Sequence, residues 1–553
     1  MVVQSIADQH RINGNDAIKN KDYIKAWEEY TKGLKITPKD PVLWSNRSFA
    51  CLKAGFPELA LMDAYRVITL CDQDTIKDNE SLRTVYQKGY FRYAESLDAL
   101  GLPRLAEIAF NIIVNDKLIK DIDRKKAMDR KFKLSKTNLD QTRHMAKEGQ
   151  KGSGNFKFLI TEEDVGFYKF DGKYPWDIRP DDRIKESNLL KIQHKLDLIS
   201  DNKLKLDFVK FSSDDENPLI QLGVISKVDF KNEDIIMEEN PFLTIHNHYN
   251  LRCDYCFHLL DKKSSNNNVE YPIVYPCPNL SCEESFCNER CYNLAKDLYH
   301  DEICGKIIDD LIDFIQRKRG DVRNNNILFI LKLFAIAKKR NICPLDIEEI
   351  NHLTRYHSTP HNLENHDLWD ADFEKIYLEI LKILDISIYD LNFDFWIFIT
   401  LITTLATNTF GGPAIDSSVY DTAAIFPLIS LFNHNCKNNI EGQLFLQEWP
   451  KSIQDPIPAV YKVLRKTLRS INCHSYRMTI IANDDIKKGD QLCLTYCNPD
   501  YNKNARHRQL LRTYGFICYC DRCKGESGGY NPLPIAWCLY FPDDERGKDL
   551  LDR

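Results

Sequence analysis

The sequence predicts an α+β multidomain protein: a run of helical hairpins, then a β-rich region interrupted by a cysteine-rich insertion and a helical one. Three observations carry that expectation. Small and aromatic residues recur with a period of 34 near the N-terminus. Of the 18 cysteines, seven lie between Cys253 and Cys304 and three between Cys518 and Cys523. Around these clusters, "PLIQLGVISKVDFKNEDIIMEENPFLTI" and "YRMTIIANDDIKKGDQLCLTY" read as short strands separated by turns.

The repeats come first in the chain. Gly14, Ala26, Tyr30 and Pro38 recur 34 residues later as Ser48, Ala60, Ala64 and Asp72, and Ala94, Ala106 and Phe110 keep the same internal offsets. Small residues at these offsets let the helices of a hairpin approach closely, although an ordinary helical bundle could show such spacing too. The pattern resembles the tetratricopeptide repeat (TPR). Arg11 and Asn15 are one helical turn apart, Asn46 occupies the equivalent helix of the second repeat, and Lys88 and Arg92 are again four apart. Either they form a solvated helix face, or they line a concave surface with cations and amide donors. The second arrangement resembles the carboxylate clamp of TPR domains that bind chaperone tails ending in Glu-Glu-Val-Asp. Arg11 stands where that family has lysine, which keeps the charge but changes its geometry. Residues 1–140 are assigned to the repeats and 141–204 to a linker and packing segment.

Composition removes several classes. The 553 residues exceed one domain's usual size, and a net charge of −6 offers no basic field for nucleic acid. "MVVQSIADQH" has no charged start followed by an apolar run, and no apolar stretch is long enough to span a bilayer. The expectation is a protein of the cytoplasm, the nucleus or both, with no membrane contact and no direct nucleic-acid binding. Disulfides are disfavoured there, so clustered cysteines read as metal ligands. Scattered Cys51, Cys71, Cys343 and Cys538 read as small core hydrophobes.

In the first cluster, Cys253 and Cys256, Cys277 and Cys282, Cys287 and Cys291, and His300 and Cys304 form short pairs. Eight such ligands suit two tetrahedral Zn²⁺ sites, and a segment this poor in apolar residues needs metal to fold. The order resembles the MYND zinc finger, whose pairs interleave. That resemblance implies one ion on Cys253, Cys256, Cys287 and Cys291, and another on Cys277, Cys282, His300 and Cys304. In the second cluster, Cys518, Cys520 and Cys523 leave a tetrahedral site one ligand short. Cys436, in "LISLFNHNCKNN", is a candidate for the fourth, with a buried free thiol as the alternative. Three zinc ions are then expected in all.

"NHNC", "GDQLCLTY" and "YGFICYCDRC" together resemble the SET domain and its post-SET zinc motif. The chain is similar to the SET–MYND protein lysine methyltransferases, in the subgroup with TPRs ahead of SET. The resemblance implies a SET domain in pieces: 205–250, a MYND finger at 253–304, a helical insert at 305–395, a catalytic core at 396–500, and a post-SET motif at 501–527 ahead of a tail at 528–553. It implies S-adenosylmethionine as cofactor, held by Gly223, Asn408, Asn433, His434 and Phe516. Tyr496 would be catalytic, and Tyr514 would help close the lysine channel. Gln221 stands where the family has the first glycine of a Gly-x-Gly turn, and Asn438 where it has proline. Glycine permits close backbone approach, so Gln221 bears on cofactor affinity. The rival reading is a non-catalytic adaptor, with the repeats capturing a chaperone tail.

Overall fold

The 34-residue period becomes a ladder of antiparallel helices: α1 (Val2–Lys19), α2 (Tyr23–Ile36), α3 (Pro41–Ala54), α4 (Pro57–Leu70), α5 (Glu80–Ala99) and α6 (Pro103–Asn115). The computed structural model describes residues 2–71, 76–77, 79–115, 124–133, 165–169, 174–210, 220–246, 252–257, 260, 275–317, 326–355, 368–370, 372–412, 422–445, 477–514 and 516–527. They fall into two units, Met1–Trp176 with Asn365–Phe398, and Asp177–Glu364 with Ile399–Arg553.

Local chemistry sets the helix ends in the first unit. Asp22 caps α2 through the Lys25 N–H, and Asp40 caps α3 through the Val42 and Leu43 N–H groups. Pro41 and Pro57 start α3 and α4, where a missing N–H costs nothing, and Gly55 ends α3 at φ +89°. Ala26, Ala60, Ala64, Ala94 and Ala106 are all buried between helices. At Gly14 a Cβ would sit 2.4 Å from the Tyr30 ring, so glycine is what lets α1 close on α2.

The segment 365–398 folds with the repeats, whereas the sequence reading put all of 305–395 into one insert. Four buried charges explain the difference. Arg47 Nη2 donates to Asp63 at 2.7 Å and to Asp394 at 2.9 Å. Arg66 pairs with the same two carboxylates, each at 2.9 Å. Both guanidinium groups lie over the Trp44 ring, 4.5 Å from its centroid. Arg66 also donates to Ile388 O and to the Tyr377 hydroxyl. Trp176, within the expected linker and packing segment, stacks on Trp27 at 3.6 Å. Periodicity could not show that these late segments pack against the repeats.

The first unit holds a two-stranded sheet, Val165–Lys169 with Leu368–Asp370, and the second carries the larger ones. Outside the cysteine-rich segment its strands are β1 (Leu204–Lys210), β2 (Ile220–Ser226), β3 (Ile235–Glu239), β4 (Leu243–His246), β5 (Thr409–Gly412), β6 (Thr422–Ile425), β7 (Asn433–His434), β8 (Ile440–Phe445), β9 (Arg477–Ala482) and β10 (Gln491–Leu494). They form three small sheets, ordered β7–β10–β2–β1, β8–β9–β3 and β4–β6–β5. Val224, Phe426, Phe432, Ile480 and Leu492 share one core between them. The helix Asn326–Arg340 is buried along nearly its whole apolar run, as a helix without a polar face must be. Among the described residues, no helix is long and apolar enough to cross a membrane. Cys51, Cys71 and Cys343 are buried, as expected of core thiols, and Cys538 lies outside the described residues.

Candidate active site and metal centres

A pairing only two residues long builds the site. β7 runs parallel to β10, with Asn433 beside Cys493 and His434 beside Leu494. That register brings Tyr496 back against His434. The Tyr496 N–H donates to His434 Nδ1 at 3.0 Å, and its hydroxyl donates to Phe432 O at 2.6 Å. Asn433 is buried and donates from Nδ2 to Leu222 O at 3.0 Å. A Cβ at Gly223 would come within 2.9 Å of that same Nδ2, so the asparagine fits only against glycine. Gln221 is two residues earlier on β2 and shares the Gly223 face.

Three aromatic rings complete the wall. Tyr514 lies 4.7 Å from Tyr496 between centroids, and Phe516 lies 5.8 Å from His434. Burial pushes the Tyr496 phenol far above its ordinary range and that of Tyr514 up to about 12, so both keep their protons at neutral pH. Asn408 stands apart. Its Nδ2 donates to Thr354 O and Thr404 O, both at 2.8 Å, and no hydrogen bond among the described residues joins it to this group.

The cysteines gather into three quartets, each with its ligand atoms within 4.8 Å of one another: Cys253, Cys256, Cys287 and Cys291; Cys277, Cys282, His300 and Cys304; Cys436, Cys518, Cys520 and Cys523. Two Zn–S bonds of about 2.3 Å at a tetrahedral angle put the sulfurs about 3.8 Å apart. The sulfur separations found are 3.3 Å for Cys287–Cys291, 3.6 Å for Cys256–Cys287, 3.5 Å for Cys277–Cys304 and 3.5 Å for Cys436–Cys523. Every described cysteine is a free thiol. The donor sets therefore fit zinc in number, chemistry and spacing. Beside the first quartet, Lys332 Nζ donates to Asp254 Oδ1 at 2.6 Å, pinning the cysteine-rich segment to the helix Asn326–Arg340.

His434 and Cys497 also lie close to Cys436. The histidine is excluded as a ligand by its hydrogen bonds. Nδ1 accepts from the Tyr496 N–H, so Nε2 carries the proton and faces Cys436 Sγ at 3.3 Å. His434 thus links the third quartet to the backbone of Tyr496. Hydrogen bonds from the neighbouring thiols, Cys497 first, hold the Cys436 thiol well below its ordinary range. Arg506 is fully buried and donates to Cys436 Sγ at 3.3 Å and to Cys523 Sγ at 3.4 Å, offsetting thiolate charge.

A family model for the SET domain matches residues 221–497, just over half of the chain. The chain belongs to the SET-domain family. A histone-lysine N-methyltransferase SET5 of Saccharomyces cerevisiae (strain YJM789) is 24% identical over 173 residues, which are 31% of this chain and 24% of that protein. A protein-lysine N-trimethyltransferase SMYD5 of Danio rerio is 21% identical over 371 residues, 54% of this chain and 84% of that one. The chain thus spans about a quarter of the length of the yeast relative. The solved first TPR of Spaghetti (RPAP3), bound to an HSP90 peptide, is 24% identical, with 25% of this chain and 95% of that one covered at a TM-score of 0.20.

Four residues that support the SET domain and the repeats escaped the sequence reading. Cys497 directly follows Tyr496 in "LTYCNP", and its place beside the cysteine quartet could have been considered. Arg506 is one of several cations in "NKNARHRQLLR" and Glu239 one of two adjacent acids in "MEENPF", and neither carries a motif. Tyr30 was read as a packing residue only, yet its hydroxyl donates to Asn15 Oδ1 at 2.8 Å. Asn46 Nδ2 donates to the same oxygen at 3.2 Å, so the Asn15 amide oxygen accepts two hydrogen bonds. Arg92 is tied to Ser45 Oγ and Ser45 O, and Arg92 and Arg11 both act on the Tyr30 phenol. Lys88 is exposed one turn from Arg92, and Arg11 pairs with Asp8 at 3.1 Å.

Proposed function

We propose that the SET domain transfers a methyl group from S-adenosylmethionine to the side-chain amine of a lysine in a protein substrate. The observation that carries this is His434: it holds Tyr496 through Nδ1 and faces the Cys436 quartet through Nε2, beside Asn433 and Gly223. The lysine methyltransferase names of the yeast and zebrafish relatives support lysine as the acceptor. Asn433, His434, Gly223 and Phe516 would hold the cofactor, with only the oxygen of Asn408 left to serve it. The three quartets would hold one zinc ion each, as structural supports.

When bound, S-adenosylmethionine supplies an electrophilic methyl group for in-line displacement. The chain's part is to position and to dry. With its proton on Phe432 O, the Tyr496 oxygen presents its lone pairs, so it can accept an N–H of the arriving amine and aim the nitrogen. Tyr514 and Phe516 line a path that favours neutral amine over ammonium once water is excluded. Tyr496→Phe is expected to lower transfer of labelled methyl to protein by about a hundredfold while leaving cofactor binding in place. Equal transfer by the variant would overturn the role of Tyr496.

The repeats support a second, compatible activity: docking of a peptide's C-terminal carboxylate, of the kind chaperone tails carry. Arg11, Asn15, Asn46, Lys88 and Arg92 would be its donors. What favours it is the Asn15 oxygen, saturated by Tyr30 and Asn46, which leaves the amide N–H groups for a carboxylate. Arg92→Ala should weaken binding of a peptide ending in Glu-Glu-Val-Asp by about tenfold or more, measured by fluorescence polarisation. Unchanged affinity would rule the clamp out. The adaptor reading, with no methyl transfer, is favoured by Gln221, whose side chain shares the Gly223 face.

A further inference from the structure

We propose that Glu239 is a positioning residue for the cofactor pocket, fixing from behind the turn that delivers Asn433 and His434. The proposal rests on the methyltransferase reading above. Glu239 ends β3, is 8% exposed, and reaches across to a stretch nearly 190 residues later in the chain. Its two carboxylate oxygens accept one backbone N–H each: Oε1 from Leu428 at 3.0 Å and Oε2 from Ile429 at 2.8 Å. These N–H groups open the short helical turn Ile429–Leu431, so the carboxylate acts as its cap.

The other end of that turn is the active site. Phe432 O takes the Tyr496 hydroxyl, Asn433 is locked onto Leu222 O, and His434 holds the Tyr496 N–H. Residues 428–434 are therefore stretched between one buried carboxylate and one tyrosine. Among the described residues, no ion pair joins Glu239 to a cation. Burial pushes its carboxyl up to about 7, against the opposing pull of the Leu428 and Ile429 N–H groups and the charge of Lys195. A chain that needed only to fill this space would use an apolar side chain at lower desolvation cost. A buried carboxylate on two N–H donors instead fixes where a backbone goes.

The test uses the full, zinc-replete chain and Glu239→Gln, which keeps shape but turns an NH2 toward an N–H donor. S-adenosylmethionine binding is measured by calorimetry, and amide hydrogen exchange across 428–434 by mass spectrometry. The expected result is binding weaker by about tenfold, faster exchange confined to 428–434, and unchanged zinc content. Equal binding and equal exchange in the two proteins would overturn the proposal. Should the wild-type chain bind no cofactor, the methyltransferase reading fails, and local exchange decides for Glu239 alone: faster supports it, unchanged overturns it. Glu239→Asp, one methylene shorter, should bind cofactor better than Glu239→Gln if the carboxylate is what matters. The reverse order would count against it.

Discussion

Stripping the protein with a strong chelator should unfold the segment 252–304 and abolish S-adenosylmethionine binding, while helices α1–α6 keep their circular-dichroism signal. The finger has little else to stand on. Its only described strands are the two-residue pair Tyr275–Pro276 and Ser285–Phe286, and its described buried apolar side chains beyond the quartet cysteines are Phe257, Leu260, Phe286, Ala295 and Tyr299. Structural zinc contributes about 10–16 kcal/mol to folding of such modules. The third quartet carries the effect to the cofactor: without metal, Cys436 no longer holds the Nε2 side of His434, and Tyr496 loses a fixed partner. The check is zinc content by atomic spectroscopy beside calorimetry and proteolysis. An apo protein that resists proteolysis in 252–304 and still binds cofactor would mean the quartets are not structural metal sites.

Asp394→Ala should destabilise the first unit by about 3–5 kcal/mol, read from urea unfolding. Asp394 is one corner of a square of alternating charges with Arg47, Asp63 and Arg66, each 5% exposed or less at the side chain. Removing it leaves two buried guanidinium groups sharing a single carboxylate. Burial makes that costly, because an unpaired charge cannot recover its hydration. The substitution should also free 365–398 from α3 and α4, since Asp394 supplies that segment's buried carboxylate to Arg47 and Arg66. A change below about 1 kcal/mol, the range of an exposed pair, would show that the network is dispensable.

Much of this was legible in the sequence because it depends on local spacing. The repeats show in small residues at fixed offsets, which is a helix-packing requirement. The quartets show in short cysteine pairs, since one turn of backbone can deliver two ligands. Even the long-range partner Cys436 was reachable, because three cysteines are one short of a tetrahedron. What was hidden needs the fold. Asp394 lies 331 residues from Asp63 in the chain (394 less 63) and carries no motif. Glu239 acts on backbone N–H groups, which any sequence would supply. Arg506 matters for the thiolates it faces, and helical position alone does not disclose that. Asn408 shows the converse: a motif match placed it at the cofactor, and its amide nitrogen is spent on Thr354 O and Thr404 O.

The most direct test of the methyltransferase account is calorimetric titration of the zinc-replete chain with S-adenosylmethionine, beside Asn433→Ala. Asn433 is buried, sits on the glycine at 223 and leads into His434, so a real pocket cannot be indifferent to it. The account predicts saturable binding at one site, lost in the variant. No binding to the wild-type chain at millimolar cofactor would contradict it, and would make Gln221 the residue that closed the pocket.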